Sequence, residues 1–162
     1  MVSNSYKISI PVLTTDTSEF CKSTSPRILA QKVSQFVNNT IPDRAAIDTY
    51  DANEMIKNSF DAFISSGTIK IGTFLDLMVS VKNEGNIWII KFKDNAAGLG
   101  EEKKMIKAEE IKSSKKIKGH FYYGGQGMGL QTINKCIQEQ SGSVCLKNRK
   151  SGGCTVYIKV PR

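Results

Sequence analysis

The chain has 162 residues, 40% of them hydrophobic and 23% charged, with a formal net charge of +8. That length predicts one domain with enough chain to bury a core, and the composition excludes wholesale disorder. Cys21, Cys136, Cys145 and Cys154 lack CxxC spacing and His120 is the lone histidine, which argues against a zinc or dithiol motif; no apolar run reads as a signal peptide or membrane span, so a reducing, cytoplasmic setting is expected.

In chain order, Tyr6 to Val12 alternates like a strand, and the Ser- and Thr-rich stretch from Thr14 to Ser25 reads as a loop. Ser25-Pro26 supplies a hydroxyl N-cap and a proline at the first helical position. Ile28, Leu29, Val33, Phe36 and Val37 follow at helical spacing and predict a helix over Pro26 to Asn39. A second helix is predicted from about Asp43 to Ser65. Strands follow at Leu75 to Lys82 and Asn86 to Lys93, turned by Asn83-Glu84-Gly85. In the second strand Trp88, Ile90 and Phe92 share one face, and Ile87, Ile89, Lys91 and Lys93 the other. A lysine-bearing connection leads to a helix at Met128 to Gln140. Strands at Ser143 to Lys147 and Cys154 to Val160 close the pattern around Gly152-Gly153. Long helices and paired strands in this order predict an α/β two-layer sandwich.

Three segments suggest chemistry. On the second helix, Glu54, Asn58 and Asp61 fall within roughly 60° of one another at 3.6 residues per turn, opposite Ile56, Phe60 and Phe63. Any amphipathic helix has a polar face, and alone this one reads as solvated. A carboxylate and an amide one turn apart could also serve as a proton acceptor and a neutral oxygen ligand for Mg²⁺. Next, Asp94-Asn95-Ala96-Ala97-Gly98-Leu99-Gly100 places a carboxylate at a strand end, able to accept a hydrogen bond from an adenine amino group. Alone it reads as a turn. Finally, Gly125, Gly127 and Gly129 open a helix in Gly124-Gly125-Gln126-Gly127-Met128-Gly129-Leu130, where backbone N–H groups and the helix dipole suit phosphates. No GK[ST] follows, so this is not a Walker loop, and no βαβ unit surrounds it.

Taken in order, ExxxNSxDA, DNxxGLG and GxGxGL resemble the N, G1 and G2 boxes of the histidine-kinase/gyrase/heat-shock-chaperone/MutL-type ATPase superfamily. Gly153-Cys154-Thr155-Val156-Tyr157-Ile158-Lys159-Val160-Pro161 resembles the closing strand of sensor-kinase catalytic domains. The likeness runs from about Ile47 to Pro161. It implies a single ATP-binding domain over residues 1–162 with the Bergerat fold, a mixed sheet with helices on one face. Residues 1–42 would form an N-terminal strand and helix, and 101–124 the ATP lid.

By the same resemblance Glu54 is the general base, Asn58 the Mg²⁺ ligand and Asp94 the adenine acceptor. Gly98 shapes the base pocket, Gly125, Gly127 and Gly129 with Leu130 hold the phosphates, and Asp61 and Thr155 support the adenine side. Ala96 replaces a usual glycine and Cys154 a frequent threonine. No helix pair bearing a phosphorylatable histidine precedes the domain, so a complete sensor kinase is not expected. The length and the strand and helix leading into ExxxN are similar to anti-sigma-factor serine kinases, which favours ATP-dependent phosphoryl transfer to a protein side chain. A slow ATPase that works as a nucleotide-controlled binding module stays open. The expected ligands are ATP or ADP with Mg²⁺, and a protein substrate or regulator is the expected partner; a homodimer stays open.

Lys103, Lys104, Lys107, Lys112, Lys115, Lys116 and Lys118 concentrate positive charge in the lid segment, interrupted by Glu101, Glu102, Glu109 and Glu110. They read first as a solvated stretch, and second as a basic cover for a polyphosphate. Phe121, Tyr122 and Tyr123 either pack the lid or anchor a partner. Nucleic acid, suggested by charge alone, is not an expected ligand.

Overall fold

The computed structural model describes residues 3–16, 19, 26–65, 70–95, 106–107, 116–117, 120–121, 128–148 and 153–162. Strand β1 (Ser3–Pro11) leads to helices α1 (Pro26–Thr40) and α2 (Thr49–Ser65), then to β2 (Phe74–Glu84) and β3 (Ile87–Asp94). Short strands β4 (Ile106–Lys107), β5 (Lys116–Ile117) and β6 (His120–Phe121) precede helix α3 (Met128–Glu139), β7 (Ser143–Asn148) and β8 (Cys154–Pro161). The main sheet runs β1-β2-β3-β8-β7-β4, and β5 pairs with β6.

Every ladder among the described residues is antiparallel, which corrects the expected mixed sheet. For β2 and β3 the connection explains this. A two-residue turn, Gly85-Asn86, reverses β2 into β3, with Glu84 opposite Ile87. Gly85 takes φ 66° there, which is why a glycine begins the turn. Asn83 and Glu84, expected in the turn, instead extend β2.

Alternation puts Ile8 and Ile10, Leu75 to Val81 at every second residue, Ile90 and Phe92, and Val156 to Val160 on the face that meets the helices. From the helices come Ala30, Val33 and Val37 of α1, Ala52, Met55, Ile56 and Phe63 of α2, and Ile133 and Ile137 of α3. All three helices therefore cover one sheet face, as the expected two-layer sandwich requires. Ile28 is an exception to the predicted α1 stripe: it is 52% exposed, and Ala30 fills the inward position.

Helix α2 begins at Thr49, later than the expected Asp43. Asp48 is its cap, because its Oδ1 accepts the Asp51 N–H at 2.7 Å, and residues before it follow another path. Ile41, Ala46 and Ile47 are buried in that link. The Ile47 carbonyl accepts from Ser34 Oγ at 2.9 Å and Asn38 Nδ2 at 3.0 Å, tying the link to α1. Among the described residues no helix is long and apolar enough to cross a membrane. Most of the loop expected over 14–25 and most of the expected lid lie outside the described residues.

Candidate functional site

Asp94 ends β3 on the helix-facing side of the sheet and is 1% exposed. A buried carboxylate is tolerated only with donors around it. Two are clear. The Ser59 hydroxyl donates to Oδ2 at 2.8 Å, and the Cys154 backbone N–H donates to Oδ1 at 3.1 Å. One carboxylate thus joins helix α2 to strand β8 at the end of β3.

The approach of β8 depends on Gly153. It has φ 91°, and a Cβ there would run into the backbone carbonyl of Asp94. We expect Gly153→Ala to lower unfolding free energy by about 3 kcal/mol, from left-handed strain plus the clash. Gly85 supplies the comparison: its φ is 66°, but a Cβ there would meet no atom within 4 Å, so Gly85→Ala should cost only about 1 kcal/mol. Urea denaturation midpoints of the two variants measure the difference.

Beyond Asp94, Asn95 folds back on β2. Its Oδ1 accepts the Asp76 N–H and its Nδ2 donates to the Phe74 carbonyl, both at 2.9 Å. These bonds fix the direction in which the chain leaves β3 toward residues 96–100.

On α2, Glu54 is half-buried with 19% of its side chain exposed, and forms an i,i+3 ion pair with Lys57 at 3.8 Å. Asn58 follows one turn later, and Ser59 beside it already touches Asp94. Helix α2, which carries Glu54 and Asn58, therefore reaches the end of β3 through Ser59. The side chains of Asn58, Phe60 and Asp61 lie outside the described residues, as do Gly98, Gly125 and Gly127. Gly129 and Leu130 belong to the first turn of α3. Thr155 is buried but sits opposite Lys93 in the β3–β8 ladder, on the sheet face away from the Asp94 carboxylate. Its neighbour Cys154 meets Asp94 instead, through its backbone.

The first turn of α2 is strongly acidic. Asp51 is 3% exposed, and its carboxyl is pushed up to about 6 by burial first, then by the adjacent Asp48 and by Glu54. An unfolded Asp51 titrates near 3.8, so the folded state holds the proton more tightly. That contribution is fully present below about pH 4 and is lost as pH rises through 6. Asp51→Asn should consequently raise stability at pH 7.5 by on the order of 2–3 kcal/mol and flatten its dependence between pH 4 and 7. Urea titrations across that range provide the check. Burial first, then Asp51 and Asp48 together with Glu139, hold the Cys136 thiol of α3 above its ordinary value.

Ser59, Gly153 and the Cys154 N–H are the contributors that residue-type reasoning missed. Ser59 stands within the quoted ExxxNSxDA pattern without a role, and a serine next to the Asn position is its only signal. A backbone N–H leaves none. With this geometry in place, a family model described as "Histidine kinase-, DNA gyrase B-, and HSP90-like ATPase" matches residues 52–162, more than half of the chain.

Proposed function

Because the chain belongs to the histidine kinase-, DNA gyrase B- and HSP90-like ATPase family, we propose that it binds Mg-ATP through Asp94 and directs the γ-phosphoryl group to a protein side chain. ATP binding with ATPase or kinase-type activity is what the family implies; the choice of acceptor is our reading. The observation that supports it best is the buried Asp94 carboxylate, fixed by Ser59 and Cys154 at the mouth of the Glu54–Asn58 helix.

These residues suit the nucleotide. Asp94 is held from both sides and oriented, so an adenine amino group would donate to a carboxylate that needs no rearrangement. Mg-ATP, when bound, supplies the activated phosphoryl group and a cation that offsets its charge. Asn58 would offer its amide oxygen to that cation. Glu54, partly buried on the same helix, would accept the proton of the attacking hydroxyl. Gly98 would shape the base pocket. Gly125, Gly127 and Gly129, with Leu130, would hold the phosphates at the start of α3. Asp61 would support the adenine side, and Thr155 would act there only through β8 as a whole.

The chain length and the strand and helix leading into ExxxN, read from the sequence as resembling anti-sigma-factor serine kinases, are our reason for favouring a protein hydroxyl over water as acceptor. The second reading, a nucleotide-controlled binding module with slow turnover, draws on the lid. Its β4 pairs with β7 at the sheet edge, so changes in the lid would reach the sheet. Incubation with γ-labelled Mg-ATP and candidate protein partners separates the two. Label on a partner side chain supports the kinase. Label released only as inorganic phosphate supports the ATPase module, and no nucleotide binding at all removes both.

A further inference from the structure

The sheet face turned away from the helices carries a charge pattern that the nucleotide site does not use. Register places Lys7, Met78, Lys93, Thr155 and Lys147 in one row across five strands. The next row holds Lys91 beside Tyr157, with the Lys91 Nζ 5.4 Å from the ring centroid. A third holds Lys82, Ile89 and Lys159. At about 4.8 Å between strands, these ammonium groups are spread over an area roughly 20 Å wide.

Carboxylates on this face are sparse. Among the described strand residues they are Asp76, which accepts from Ser9 Oγ at 2.7 Å, and Glu84, paired with Lys82 at 2.9 Å. The Glu84 carboxyl is held below its ordinary value by Lys82 foremost, with Lys91 and Lys159 adding to the pull. A 680 Å³ groove lies on the same face between Lys7, Asp76, Met78, Lys93 and Asn95.

A second feature adjoins the lysines. At one end of the β1–β2 ladder, Leu13 is 76% exposed, Ile71 68% and Phe74 49%. Phe74 stands opposite Pro11, at the outer-face positions of the ladder that Asp76 and Met78 continue. Backbone bonds from Val12 N to Thr73 O at 2.9 Å and from Gly72 N to Val12 O at 3.3 Å hold the other two beside it. Exposed aliphatic side chains next to a lysine field combine the two attractions that hold proteins on charged bilayers, acyl contact and headgroup charge.

We propose that this outer sheet face docks on an anionic lipid surface, with the lysine rows against headgroups and Leu13, Ile71 and Phe74 entering the interfacial layer. Two other occupants fit less well. A second copy of the chain would set lysine against lysine. A nucleic acid could stack a base on Phe74 but would leave Leu13 and Ile71 unused, and among the described residues the face offers no Arg or Gln fork, while Asn95 has both side-chain atoms bonded to the β2 backbone.

The test is co-sedimentation of the full chain with phosphatidylcholine vesicles, with and without phosphatidylserine at one third of the lipid. Binding should require phosphatidylserine and fall with added salt. The triple variant Lys7→Gln, Lys147→Gln, Lys159→Gln should bind roughly a hundredfold more weakly, at about fivefold per lysine. Leu13→Ser with Ile71→Ser should weaken binding about tenfold or more. All five positions are exposed, so melting temperature and ATP affinity should stay at the parent values, which keeps this outcome separate from that of the nucleotide reading. Equal binding to neutral vesicles, no binding to either, or unchanged affinity in both variants would overturn the proposal. So would single-stranded DNA displacing the protein from vesicles at lower concentration than the lipid itself requires, or a dimer that the lysine variant dissolves.

Discussion

Asp94→Asn is expected to weaken ATP binding by about a hundredfold while leaving the fold in place. The loss follows from replacing a charge-assisted hydrogen bond to the adenine amino group with a neutral one or none, on the order of 2–3 kcal/mol. The fold should survive because of what surrounds the side chain. An asparagine can turn its oxygen to the Cys154 N–H, which can only donate, and its amide to the Ser59 hydroxyl, which can reverse and accept. That rearrangement should cost about 1 kcal/mol of stability. Calorimetric titration with ATP, beside a thermal melt, distinguishes the two effects. Unchanged affinity in a folded variant would refute the role given to Asp94.

Glu54→Gln should do the opposite: nucleotide affinity within a few-fold of the parent, and turnover lower by roughly 10²–10⁴. Glutamine keeps the size and one hydrogen-bonding oxygen but cannot take a proton at neutral pH. The helix should not suffer. The ion pair that Glu54 makes reaches Lys57 at 3.8 Å, and the lysine side chain is 55% exposed, so its loss should cost a few tenths of a kcal/mol. Single-turnover phosphate release or transfer, measured at saturating Mg-ATP, reads the effect. A variant as fast as the parent would mean that another group removes the proton, or that none is needed.

Much of this molecule is legible in its sequence because its periodicities are clean. β3 alternates without interruption, and Ile90 and Phe92 are buried where the pattern puts them. α1 and α3 begin where Pro26 and the glycine run place them. The differences arise where local chemistry competes with pattern. Pattern alone starts α2 too early, because residues 43–48 look compatible with helix. Asp48, by capping the Asp51 N–H, outcompetes them. A mixed sheet is what the resemblance implies, whereas every described ladder is antiparallel, the β2–β3 pair because its two-residue Gly85-Asn86 turn permits nothing else.

The candidate site is partly legible for a similar reason. Glu54, Asn58 and Asp94 carry functional groups, so spacing and order draw attention to them. Ser59 and Gly153 matter through one contact and one absence of a side chain, neither visible until α2, β3 and β8 meet. Thr155 shows the limit of reading a strand by type alone. Period-two geometry decides which of two neighbours faces Asp94, and a shift of one residue exchanges them.

The position of β8 between β3 and β7 has a consequence for the order in which the protein becomes competent. During synthesis Asp94 emerges 60 residues ahead of the Cys154 N–H that it accepts from. Until that stretch has left the ribosome, β3 lacks its inner neighbour and the Asp94 carboxylate, proposed to read the nucleotide, lacks one of its two clear donors. A nascent chain can carry every glycine box and still bind ATP poorly. Nucleotide capture should therefore switch on late and abruptly along the length of a growing chain, making ligand binding a report that translation of the domain has finished.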